Sequence, residues 1–125
     1  MPPQPSSSGH RRIALSIVGL CYLLPGLWSV VTCSGPTVNF WMAHLMAFSA
    51  AFVLIFWPGS HLPAGAAAFV MMLVCLWAVH AECGPYTGGG AAMAYVAVFL
   101  FGWPLSLAVG LGVGLFVGAQ RKPER

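Results

Sequence analysis

The sequence predicts an all-α integral membrane protein, a bundle of four transmembrane helices made of two tandem helical hairpins. Of its 125 residues, 59% are hydrophobic and 6% are charged, whereas a soluble domain carries about 25% charged residues. All five basic residues lie in the two tails, and Glu82 carries the one formal charge between Ile13 and Gln120. So few polar side chains cannot cover a water-facing surface, which excludes soluble, disordered and disulfide-scaffold proteins.

Four apolar segments are long enough to cross a hydrocarbon core of about 30 Å, which requires about 20 residues. The segments are Ile13–Val31, Val38–Trp57, Pro63–Ala81 and Ala91–Gly118. A proline such as Pro63 suits the first turn of a helix, and Pro104 predicts a kink in the fourth segment. The apolar runs are continuous and do not alternate, which favours helices over a membrane barrel.

These segments divide the chain into two hairpins and two tails. Residues 1–12 are predicted to be a disordered cytoplasmic tail, 13–58 the first transmembrane hairpin, 63–118 the second, and 119–125 a basic cytoplasmic tail. An even number of crossings puts both tails on one side, and both tails carry the arginines. The positive-inside rule then places both termini in the cytoplasm, and we expect a multi-pass protein of the cell inner membrane.

An internal repeat supports the tandem arrangement. The pattern Leu-Trp-x-Val-x4-Gly-Pro occurs twice, 49 residues apart, starting at Leu27 and at Leu76. A fixed offset between two such patterns indicates a duplicated unit. Two hairpins inserted in the same orientation form a parallel repeat, unlike the inverted repeats of many alternating-access transporters.

In the first repeat, Gly26-Leu27-Trp28 is followed by an outward loop containing Pro36 and then by a second apolar helix. This order resembles the SPW-repeat integral membrane proteins of bacteria, although no Ser-Pro-Trp triplet occurs in this chain. The resemblance extends over most of residues 13–110 and implies tandem membrane hairpins. It implies no activity, because that family has no settled one.

The predicted outward end holds most of the reactive side chains, namely Cys33, His44, His80, Glu82 and Cys83. Three interpretations remain open. A disulfide between Cys33 and Cys83 would join the two repeats in an oxidising compartment. Cys33, His80 and Cys83, with Glu82 or His44 as a further ligand, would instead hold a soft metal ion such as Cu(I) or Zn²⁺, which thiolate and imidazole groups suit. In the third interpretation the cysteines are free, and the polar groups serve helix ends and neighbouring helices.

The last apolar segment carries a glycine stripe, Gly110-x3-Gly114-x3-Gly118. Small residues four apart let another helix approach closely, so the stripe predicts either packing within the bundle or docking of a second copy or a membrane partner. No catalytic residues are predicted, because one acid in the body of the chain supplies no acid–base pair. The basic residues are too sparse for nucleic acid, and no cofactor beyond a soft metal ion is predicted.

The leading functional hypothesis is therefore a non-enzymatic accessory, assembly or structural component that acts in the lipid bilayer through helix packing. One alternative is a small permease or soft-metal-handling protein that uses the cysteine and histidine cluster. A further alternative is a holin-like pore former, suggested by small size, glycine content and a basic tail.

Overall fold

The computed structural model of the chain describes residues 7–32, 38–58, 60–83 and 96–121, and this part is all-helical, without strands. Its helices are α1 (Ser7–Thr32), α2 (Val38–Ala47), α3 (Ser49–Leu54), α4 (Leu62–Cys83) and α5 (Trp103–Arg121), the last preceded by a π-helical turn over Val98–Gly102. Three of these helical segments are long and apolar enough to cross a membrane: α1, α4, and α5 with its π-helical turn.

The second predicted span, Val38–Trp57, is not one continuous helix. It is divided at Phe48, whose backbone ψ of 1° departs from the value of about −42° in an α-helix. Phe48 takes part in one helical hydrogen bond on each side of the division: its amide donates to the His44 carbonyl (2.9 Å), and its carbonyl accepts from the Phe52 amide (3.0 Å). The described part of the chain thus contains three long helices and one interrupted helical segment instead of four uniform spans.

Helix α1 begins earlier than predicted. Residues Ser7–Arg12, assigned from the sequence to a disordered tail, form its first turns. No proline occurs between Pro5 and Pro25, and once the apolar span is helical each added residue gains one hydrogen bond. For the same reason α5 continues to Arg121, into the predicted tail of residues 119–125.

Helix α4 is the centre of the bundle. It packs extensively on α1 and on α5, and α3 contacts both α4 and α5. The fully buried residues of α4 include many small ones, among them Ala64, Ala67, Ala68, Cys75 and Ala78. Small side chains let helix backbones approach closely, which is how membrane helices gain packing energy without a hydrophobic driving force.

An aromatic cluster joins α1 to the interrupted segment. The Tyr22 ring lies 5.8 Å from that of Trp41, 5.7 Å from that of Phe48 and 6.5 Å from that of Phe52, measured between centroids. The Tyr22 hydroxyl also donates to the Trp41 carbonyl at 3.1 Å. Aromatic pairs add about 0.5–1.5 kcal/mol beyond their buried area, so this cluster is the main attachment of α2 and α3 to α1.

The packed face of the last helix is a row of small residues at every fourth position, where side chains share one face. The row consists of Gly102, Ser106, Gly110 and Gly114, all buried. A Cβ atom added at Gly110 would clash with the Leu54 side chain, and one at Gly114 would lie 2.6 Å from the Trp57 ring. The absence of side chains at these two positions is therefore required for α5 to sit where it does.

The π-helical turn ends just before the Trp103-Pro104 pair, where the sequence predicts a kink. Pro104 has no amide hydrogen to donate to the Leu100 carbonyl, so the regular α-helical pattern is interrupted. A π-helical turn is one way in which a helix accommodates such an interruption. The Trp103 Nε1 donates to the Ser49 Oγ at 2.8 Å, and this bond attaches the start of α5 to α3.

A buried hydrogen bond from the Ser106 Oγ to the Ala67 carbonyl, 2.9 Å long, links α5 to α4. We expect Ser106→Ala to lower the free energy of unfolding by about 0.6 kcal/mol, the average for hydrogen bonds between membrane helices. Unfolding by SDS in mixed micelles measures this change. Ser16→Ala removes an exposed bond to the Arg12 carbonyl within α1 and is the control. An equal loss in both variants would contradict a specific role for the link.

Candidate functional site

The structure describes only part of the predicted outward cluster. His80 is exposed near the end of α4, and His44 is buried in α2, with 1% of its surface exposed. Cys33 and the side chains of Glu82 and Cys83 lie outside the described residues. Within the described ranges, no group of three or more His, Cys, Asp or Glu residues is placed to hold a metal ion. The disulfide and the soft-metal site therefore stay predictions.

We expect Cys33 and Cys83 to form the predicted disulfide, without bound metal. Thiol-labelling mass spectrometry with and without reductant, together with elemental analysis of the same detergent-purified sample, measures both states. Cys21 and Cys75 are buried free thiols of α1 and α4 and serve as internal references. Two reduced outward thiols with a stoichiometric metal ion would overturn the expectation and favour metal handling.

At the other end of the bundle, two histidines form a pair that the sequence analysis does not identify. His10, in the first turns of α1, and His61, just before α4, stack with their ring centroids 5.8 Å apart and their planes at 17°. Their Nδ1 atoms are 3.5 Å apart. The guanidinium carbon of Arg11 lies 5.6 Å from the centre of the Phe56 ring. We call the residues His10, Arg11, Arg12 and His61 the basic end of the bundle.

A groove of about 410 Å³ opens on the side of the bundle next to this basic end. Its walls are Ile17 and Cys21 of α1, Gly65, Ala66 and Phe69 of α4, and Val113 of α5. His61 and Leu62 line it where α4 begins. Residues of α1, α4 and α5 all line the groove, and two of those on α4, Gly65 and Ala66, are small. We call it the side groove.

The three glycines of the predicted packing stripe lie in two different environments. Gly110 and Gly114 face the interior of the chain's own bundle, whereas a Cβ atom added at Gly118 would meet no atom within 4 Å. The row of small residues that packs inside the bundle continues from Gly110 towards Gly102 instead. The sequence contains a signal for this row, since Gly102 and Ser106 precede Gly110 at intervals of four residues.

Comparisons of the chain with protein-family models, with curated proteins and with solved structures give no match. The likeness to SPW-repeat proteins rests on the sequence pattern alone and stays a prediction. Function is therefore inferred from the described residues and their chemistry.

Proposed function

We propose that the chain is a four-crossing protein of the cell inner membrane, with both termini cytoplasmic, which acts as a non-enzymatic accessory or assembly component through helix packing. The observation that carries this proposal is the distribution of apolar surface. Helices α1 and α5 bury small residues against α4 and expose large apolar side chains outward. Leu20 of α1 is 63% exposed and Leu115 of α5 is 68% exposed. Such a surface is covered favourably only by lipid or by another apolar helix.

The stacked histidines support the fourth crossing. They hold the starts of α1 and α4 at the same end of the bundle, yet α1 runs away from that end for 26 residues, about 39 Å. The chain has to return along the bundle before α4 begins. The contact of Trp41 with Tyr22, near the middle of α1, and that of Phe56 with Arg11 at the basic end support a path that returns along α1.

The return path is short for a membrane span. Its helical segment, residues 38–54, is about 26 Å long at 1.5 Å per residue, against a hydrocarbon core of about 30 Å. A short span is accommodated by local thinning of the bilayer at modest cost, and the division at Phe48 does not interrupt the helical hydrogen bonds on either side of it.

A second copy of the chain is the partner that we propose. Gly118 lies one turn beyond Gly114 on the same row of small residues, and an added Cβ atom there would meet nothing within 4 Å, so the backbone of α5 is accessible to another helix at this end of the row. Close backbone approach at small residues is the usual basis of helix association in membranes. The end of the row at Gly118 therefore supports self-association, whereas Gly110 and Gly114 are already occupied by α4, Leu54 and Trp57.

We expect the wild type to self-associate in liposomes and Gly118→Leu to weaken association about tenfold, roughly 1.4 kcal/mol. Energy transfer between donor- and acceptor-labelled copies, measured over a range of protein-to-lipid ratios, determines the affinity. Gly19→Leu is the control, because Gly19 is equally open but lies on α1. Wild-type protein that stays monomeric at every ratio would overturn the proposal. Release of a dye trapped in the same liposomes would also overturn it and indicate the pore-forming alternative.

A further inference from the structure

We infer that the side groove binds one anionic phospholipid, with an acyl chain in the groove and the phosphate at the basic end. This inference rests on the proposed location in a membrane but does not depend on self-association. It assigns a ligand to a site that none of the predictions from sequence includes.

The shape and chemistry of the side groove fit an acyl chain. Its volume of about 410 Å³ lies within the range of about 300–1,000 Å³ that is common for ligand sites. Its walls are mainly aliphatic and aromatic. It is lined on α4 by Gly65, which has no side chain, and by Ala66, which has only a methyl group, so the backbone of α4 is close to the groove there. A Cβ atom added at Gly65 would lie 3.6 Å from Ile17. A larger residue at this position would therefore extend into the space proposed for the acyl chain.

The charge at one end of the groove fits an anionic headgroup. His61 lines the groove, His10 stacks on His61, and Arg11 and Arg12 follow His10 in the same turn of α1. The Arg11 guanidinium is placed over Phe56, whereas Arg12 is exposed. Each arginine near a membrane surface contributes about 1 kcal/mol of attraction to anionic lipid. A zwitterionic headgroup would gain much less from this end.

A lipid chain fits this groove better than a helix of a second copy does. The groove follows α4 from Leu62 to Phe69, about 10 Å at 1.5 Å per residue. A helix of a second copy would follow the groove for only about two turns, a short contact for helix association. A single acyl chain is narrow enough to enter from the side, along the bilayer.

The test counts retained lipids on the monomeric full chain by native mass spectrometry. The protein is first equilibrated in nanodiscs of phosphatidylglycerol and phosphatidylcholine and then released into mild detergent. We expect one retained phosphatidylglycerol, preferred about tenfold over phosphatidylcholine. Arg12→Gln should remove most of that preference, and Gly65→Leu should remove the retained lipid of either kind. The controls Arg125→Gln, with the same loss of charge, and Gly19→Leu, with the same added side chain, should retain it.

Three outcomes would overturn the inference. Equal losses in Arg12→Gln and Arg125→Gln would show diffuse attraction to the charged tails instead of a site. Retention of the lipid in Gly65→Leu, and in Ala66→Leu if the first variant does not fold, would show that the groove is not where the lipid binds. A loss of dimer without a loss of lipid in these variants would assign the groove to a second copy. Because lipid is counted on monomers, failure of self-association leaves this result readable.

Discussion

Gly110→Leu should destabilise the bundle by about 3 kcal/mol, at the upper end of the usual cost of overpacking. A Cβ atom at Gly110 would clash with the Leu54 side chain and would lie 3.0 Å from both the Ala67 Cβ and the Pro63 carbonyl oxygen. The Ala67 Cβ and the Pro63 carbonyl oxygen are both attached directly to the backbone of α4, so neither can move without shifting that helix. Unfolding by SDS in mixed micelles measures the loss.

The matched control is Gly112→Leu, two residues away on the same helix. An added Cβ atom there meets nothing within 4 Å, so the variant changes helix propensity and side-chain volume without touching α4. We expect its stability to equal or exceed that of the wild type, because leucine is a better helix former than glycine by about 0.8 kcal/mol. Similar losses in the two variants would contradict the packing described for α5.

Phe48→Ala should cost about 3–5 kcal/mol, the usual range for a buried phenylalanine. Phe48 is fully buried and meets the Tyr22 ring edge-on, with centroids 5.7 Å apart. It also lies at the division between α2 and α3, so the cavity would open at the point where the interrupted segment is attached to α1. The same unfolding experiment measures this loss.

Phe116→Ala is the control for this second prediction. Phe116 is 63% exposed on α5, so truncation there changes only the contact with detergent or lipid and opens no cavity. We expect a loss several times smaller than that of Phe48→Ala. If truncation at the exposed site costs as much, the aromatic cluster is not what holds the interrupted segment in place.

The sequence predicts the long helices well because their signal is local. Twenty apolar residues with a proline at the start, as at Pro63, define a span without knowledge of its neighbours. The start of α1 at Ser7 is missed because polar residues extend a helix that has already formed, and polarity does not mark a helix end. The division at Phe48 is missed because it depends on a single backbone torsion angle, which the apolar pattern does not encode.

The features at the two ends of the bundle are harder to predict because they depend on which helices meet. His10 and His61 are 51 residues apart, and no repeat or spacing relates them. Their pairing follows from the packing of α1 on α4. The side groove likewise requires three helices and is invisible in any one of them. The glycine stripe predicted from the sequence contains only part of the buried row, since it groups Gly114 with Gly118 and does not include Ser106.

The central position of α4 has a consequence for how the protein is made. Helix α1 finds its main packing surface only on α4, which is complete 51 residues after α1 ends. At a synthesis rate of about 5–20 residues per second, α1 is made about 3–10 s before α4 is complete, and its small-residue face has no such partner during that time. Assembly of the bundle thus has to wait for α4, and a chain that stops before it has made α1 without the helix on which α1 packs.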